Sequence, residues 1–195
     1  MSRTRTTLAV SALLVVAATL AITACSPQVQ RVVETIAPSL SQPSASQPIG
    51  VDDGFVEVGG AIDPFADELP AIAKLEPNLR AAMQDAARDA ISDGVEFVVT
   101  SGWRSKRYQQ SLLDAAILRY GSEEAAGEFV SSPEDSKHVT GEAVDIGRTD
   151  ANSWLSQHGT DYGLCQIYAN EMWHFELATE PGGVCPEQLS HAGVR

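Results

Sequence analysis

Two imidazoles and two carboxylates stand in two short segments of the chain, SKHVTGEAVDI (136–146) and NEMWHFEL (170–177). The first holds His138 and, seven residues on, Asp145; the second holds Glu171 and, three residues on, His174. Two imidazoles and a carboxylate can hold one Zn²⁺ and leave a fourth position open. The remaining carboxylate, Glu171, can then act as proton acceptor for water. Taken singly, a buried His is usually a hydrogen-bonded core residue, Asp145 a turn or capping carboxylate and Glu171 a surface charge. The joint pattern points to hydrolysis at a single zinc.

Such ligands need rigid elements behind them. Ala143–Ile146 and Trp173–Leu177 alternate like strands, with Val144 and Ile146 opposed to Asp145. In the second strand, Trp173, Phe175 and Leu177 are expected to face a core, and His174 and Glu176 a site. Glu176 either orients a ligand from behind or stands exposed. Gly141 suits a turn or a close backbone approach beside the metal. Upstream, Leu79, Ala82, Met83, Ala86 and Ala90 form a helical stripe that starts at Pro77 and stops at Asp93-Gly94. Val95–Thr100 reads as a strand, and Ser105 as the N-cap of a helix that Gly121 closes after Tyr120. Short helices are expected within Ser122–Phe129 and within Asp150–Gly159, the latter packing Trp154 and Leu155. The class is α+β, a small antiparallel sheet carrying the zinc site and packed by helices.

The segments Ser136-x-His138-x-x-Gly141-x-Ala143-x-Asp145 and Glu171-x-Trp173-His174 resemble the two signatures of the VanY-type D-alanyl-D-alanine carboxypeptidases. These belong with the zinc peptidases that include lysostaphin-type enzymes and the hedgehog domain. Ser101-Gly-Trp-Arg-Ser105, followed by Tyr108-Gln109, is similar to a third segment of that family. The resemblance implies that His138, Asp145 and His174 bind zinc and that Glu171 is the catalytic base. It further implies that Arg104 stabilises an oxyanion or grips substrate, and that Ser136 and Gln109 line the site. Trp103 stands where the family has Tyr, and Lys137 where Glu is common; Pro133 is followed by Glu134-Asp135 rather than Gly. These departures bear on substrate binding, not on the zinc chemistry. Tyr108 and Trp103 form either a substrate wall or part of the core.

The rest of the chain speaks to location. Arg3 and Arg5 precede a charge-free apolar run from Leu8 to Ala24, shorter than the roughly 18–20 residues of a spanning helix. It ends in Ile22-Thr23-Ala24-Cys25, which resembles the lipobox of bacterial lipoproteins. Residues 1–24 are thus expected to be a signal peptide and Cys25 the lipidated first residue, anchoring the protein to the membrane in the bacterial cell envelope. Cys165 and Cys185 remain as an even pair, most simply a disulfide in an exported chain. Residues 25–52 are rich in Ser, Pro and Gln and read as a flexible linker, with a reach of about 30 Å. The domain is expected over 53–195. A net charge of −13 argues against nucleic acid as a partner and requires a local cation for any anionic substrate.

The residues themselves support zinc-dependent amide hydrolysis; the resemblance implies a D,D-carboxypeptidase acting on peptidoglycan stem peptides. The same four residues would equally serve an L,D-carboxypeptidase, a D,D-dipeptidase or a peptidoglycan endopeptidase. A wall-binding module that holds zinc without turnover is the reading from a different class; such a module needs no Glu171.

Overall fold

The computed structural model describes residues 47–194, and the account below concerns those residues. Pro77 opens the long helix α2 (Pro77–Ser92), after a short α1 (Pro70–Ala73). Glu76 caps α2, its carboxylate accepting from Asn78 N at 2.9 Å and Leu79 N at 3.1 Å. The apolar stripe of α2 is buried at Leu79, Met83, Ala86 and Ala90. It packs against Val99, Val144, Ile146 and Phe175 of the sheet, and against Trp154 and Leu155. By area transfer, burying one such Leu, Ile or Phe contributes about 1.5–3 kcal/mol.

The sheet has four antiparallel strands: β1 (Val98–Ser101), β2 (Ala143–Gly147), β3 (Leu164–Gln166) and β4 (His174–Leu177), in the order β1-β2-β4-β3. The α+β expectation holds. β1 begins three residues later than Val95, because Val95 N still bonds to Ala90 O in the exit from α2. β3 has no counterpart in the sequence reading; three residues are too few to display a period. Residues 106–120 form α3 (Lys106–Tyr120), with Ser105 Oγ accepting from Tyr108 N at 3.1 Å and Gly121 as its left-handed cap. The remaining helices are α4 (Glu123–Gly127), α5 (Lys137–Thr140) and α6 (Thr149–His158), the first and last where expected.

Two differences matter for the site. Trp173 and Leu177 are not core residues: they are 43% and 36% exposed, while His174 and Glu176 are buried with Phe175. Trp173 lies just before β4 and Leu177 at its last position, so both stand at the ends of the strand, where alternation no longer reports burial. The position expected as the boundary, Asp53, is the last residue of a 3-10 turn, Val51–Asp53. Arg107 holds the chain before that turn through the carbonyls of Gln47 and Pro48.

Cys165 and Cys185 are joined in a disulfide, with Cα atoms 5.6 Å apart. It pins the segment after β4 to β3, next to a small cluster of Ile167, Tyr168 and Ala192. Cys25 and the expected signal peptide lie outside the described residues.

Candidate active site

Strand register assembles the centre. Asp145 on β2 pairs directly with His174 on β4, so both side chains project from the same face. His138 arrives from the helical turn α5, which closes at Gly141 with φ 78°. A side chain at Gly141 would also collide with the Lys74 carbonyl, so both conformation and space require glycine. Glu76 N donates to Gly141 O at 2.8 Å and ties this turn to the start of α2.

His138 Nε2, His174 Nδ1 and Asp145 Oδ1 form a triangle whose three sides are all 3.3 Å. Donors bound at about 2.0–2.1 Å to a tetrahedral zinc stand about 3.3–3.4 Å apart, so the triangle fits the ion. The opposite ring nitrogens settle the tautomers. His138 Nδ1–H donates to Gly102 O at 2.8 Å, and His174 Nε2–H donates to Glu176 Oε1 at 3.0 Å. In its neutral form each imidazole therefore turns a lone pair inward, as a metal ligand must. Glu176 thus orients a ligand from behind, the first of its two readings. The set suits one zinc per chain, as the residue pattern implied.

The charges of the metal-free cluster follow from burial and proximity. Burial opposes the charged form of His174, but the Asp145 and Glu176 carboxylates outweigh it and raise its pKa to about 9. Burial, assisted by the Arg104 cation, lowers that of His138. Burial would raise Asp145, yet His138, His174 and Arg104 together hold it well below the usual carboxylate range.

Glu171 sits in the turn before β4, its Oε2 3.9 Å from His174 Nδ1. Its Oε1 is buried and has no hydrogen-bond partner among the described residues. Burial raises the Glu171 pKa. A buried carboxylate oxygen left unpaired is costly, so it marks a place where something else is to be bound. Arg104 lies across the cluster. Nη2 donates to Asp145 Oδ2 at 2.7 Å, Nε to Ser101 Oγ at 2.7 Å, and Nη1 to Gln109 Oε1 at 3.2 Å.

These groups line a cleft of about 230 Å³. That is below the roughly 300–1,000 Å³ of drug-sized sites, and it suits the end of a short peptide. Ser136 and Gln109 line it as expected, and Gln109 is also bonded to Ser131 O at 2.9 Å. Tyr108 and Trp103 do not. Tyr108 packs edge-on to Phe55, and Trp103 lies under Lys74 with its Nε1 on Val139 O at 3.1 Å. The aromatic walls are instead Phe129, Tyr168 and Trp173. Tyr168 stands with its ring centre 5.0 Å from that of His174. No spacing signal marks Phe129 or Tyr168, because they reach the cleft from separate loops. Among the cations near the cleft, Lys137 lines it and pairs with Glu142 at 2.7 Å, whereas Arg107 is engaged by Asp53.

An antiparallel sheet presenting two imidazoles, a carboxylate and an unpaired glutamate defines the site of a zinc metallopeptidase. The chain belongs to the VanY family of D-alanyl-D-alanine carboxypeptidases, whose pattern matches residues 72–181, more than half of its length. A D-alanyl-D-alanine carboxypeptidase from Enterococcus faecalis (strain ATCC 700802 / V583) is 30% identical, over 54% of this chain and 52% of that protein. The chain thus spans about half the length of the curated relative it matches. Among solved structures, a vancomycin-resistance D,D-pentapeptidase VanY variant in complex with Zn(II) is 26% identical, with a TM-score of 0.50 over 52% of this chain and 71% of that one. VanYB in complex with D-alanine-D-alanine shares the fold, with 24% identity and a TM-score of 0.50 over 52% of this chain and 70% of that one.

Proposed function

We propose that the domain is a zinc-dependent D,D-carboxypeptidase that removes the terminal D-alanine from peptidoglycan stem peptides. The observation that carries this reading is Glu171 Oε1, buried and unpaired beside three donors at zinc spacing. A site that served only to bind would need no such group. Membership of the VanY family supports the choice of bond.

Bound Zn²⁺ supplies Lewis-acid chemistry, lowering the pKa of water and polarising a carbonyl. Glu171 takes a proton from the attacking water as the new C–O bond forms. It then delivers that proton to the leaving amine as the C–N bond breaks, releasing a shortened peptide and D-alanine. Its raised pKa suits a group that must hold the proton between these two events. Arg104, fixed by Ser101, Gln109 and Asp145, offers a preorganised cation to the developing oxyanion or to the substrate. Ser136 and Gln109 shape the floor on which the peptide terminus lies.

The test is a stem pentapeptide ending in D-Ala–D-Ala, incubated with the protein with and without a chelator, with products read by mass spectrometry. Chelator-sensitive loss of one D-alanine is expected. Cleavage confined to tetrapeptide or cross-linked substrates would replace this reading by an L,D-carboxypeptidase or an endopeptidase. No cleavage of any of them by zinc-loaded protein would favour a wall-binding module.

We also propose that the protein is exported and lipid-anchored through Cys25, with the segment before Gln47 as its tether. The Cys165–Cys185 disulfide supports an oxidising, extracytoplasmic location. Cys25→Ser should release the protein from membranes; continued lipid labelling of that variant would overturn the anchor.

A further inference from the structure

Asp53 is a buried carboxylate outside the zinc cleft, and its polar partners among the described residues lie on two stretches of chain. Oδ1 accepts from Ser105 Oγ at 2.7 Å and from Arg107 Nε at 2.6 Å. Oδ2 accepts from Gly50 N at 3.1 Å and from Arg107 Nη2. Its main-chain carbonyl accepts from Ser105 N at 2.9 Å. A buried carboxylate costs several kcal/mol unless it is paired and its lone pairs are satisfied. Here both oxygens are doubly used, and four of the five hydrogen bonds that Asp53 accepts come from Ser105 and Arg107.

Those two residues flank the start of α3, and Arg104 immediately precedes Ser105. On the other side of Arg104, Gly54 lies so close to the Trp103 carbonyl that any side chain there would collide with it. Residues 50–54 thus bond the chain after Arg104 and pack closely against it before. The loop's remaining main-chain bonds point inward, Trp103 N to Ala71 O at 2.9 Å and Arg104 N to His138 O at 3.1 Å. The guanidinium, 2.7 Å from Asp145 Oδ2, depends on where this backbone is held. A misplacement of about 1 Å can cost on the order of 10²-fold in rate.

We propose that Asp53 is a positioning residue for the zinc site: by gripping Ser105 and Arg107 it holds the Arg104 main chain where the guanidinium reaches Asp145. Its effect on rate rests on the carboxypeptidase reading; its effect on Arg104 does not. A carboxylate that only closed the amino-terminal turn would stabilise the fold and leave Arg104 where it is.

The experiment uses the full chain carrying Asp53→Ala, alone and combined with Arg104→Ala, and reads two quantities. In metal-free protein, the Arg104 Nε–H resonance should move or broaden in Asp53→Ala. In zinc-loaded protein, Asp53→Ala should lower kcat about 10-fold, the lower end for residues that act through a metal ligand, with KM little changed. In the Arg104→Ala background the same substitution should change kcat less than about 2-fold, because interacting sites are not additive. An unmoved Arg104 resonance overturns the proposal, whatever the activity. So does an equal fold-loss in both backgrounds. If Asp53→Ala does not fold, Arg107→Gln, which removes partners of both Asp53 oxygens, should displace the Arg104 resonance in the same way, and an unmoved resonance there is equally decisive. If the unaltered protein cleaves no stem peptide, the function fails and the resonance still decides the role of Asp53.

Discussion

Arg104 and Asp145 meet through one oxygen only: Arg104 Nη2 is 2.7 Å from Asp145 Oδ2, leaving Oδ1 3.3 Å from both inward-facing ring nitrogens. The guanidinium thereby engages Oδ2 and leaves Oδ1 as the oxygen that would be offered to a zinc ion. The same cation stands in the cleft where substrate charge would develop. Arg104 thus joins the ligand cluster to the proposed oxyanion role, which a surface salt bridge could not do.

Glu171→Gln should keep one zinc per chain and lose at least about 10²-fold in kcat, the lower end of what a positioned base supplies. Metal analysis and single-turnover cleavage on the same sample check this. Ordinary turnover in the variant would remove Glu171 from the mechanism.

His138→Ala should abolish stoichiometric zinc, since only Asp145 and His174 of the triangle would remain. Glu176→Ala should act more gently, weakening zinc about 10–100-fold by leaving His174 Nε2–H without its oxygen. Competition with a coloured chelator orders the variants; equal affinity in Glu176→Ala and the unaltered protein would refute the orienting role.

Replacing Cys165 and Cys185 together by Ser should lower stability by about 3 kcal/mol, given a bridge spanning 20 residues. In a domain of this size that is about 10 °C in Tm. Calorimetry under oxidising and reducing conditions should show the unaltered protein approaching the double variant only when reduced.

The Asp53 carboxyl lies below its usual range because the Arg107 side chain hydrogen-bonds it, an effect that exceeds the opposing cost of burial. A depressed folded pKa means that the stabilisation is present above the unfolded value of about 3.9 and is lost as pH falls through the folded value. Asp53→Asn should therefore lower Tm at pH 6–7, and the gap from the unaltered protein should close as pH falls below about 4. A gap that stays constant down to pH 3 would show that charge at Asp53 is irrelevant.

The four chemical residues of the site were legible in the sequence because ligand spacing is local. His138 and Asp145 share one segment, Glu171 and His174 another, and each segment carries its own turn or strand signal. The caps Ser105 and Gly121, the helix beginning at Pro77 and the cysteine pair were legible for the same reason, since each is a short-range preference. Trp173 and Leu177 were misplaced because alternation reports burial only inside a strand, and they stand just before β4 and at its last residue, where the cover ends.

What tertiary structure alone decided is which distant groups meet. The register that sets Asp145 opposite His174, the Gly102 carbonyl behind His138, the single-oxygen contact of Arg104 and the grip of Asp53 on the Arg104 loop all join residues far apart in sequence. No periodicity encodes such pairings. They follow from how the sheet registers and the helices pack, and only the folded chain satisfies all of them at once.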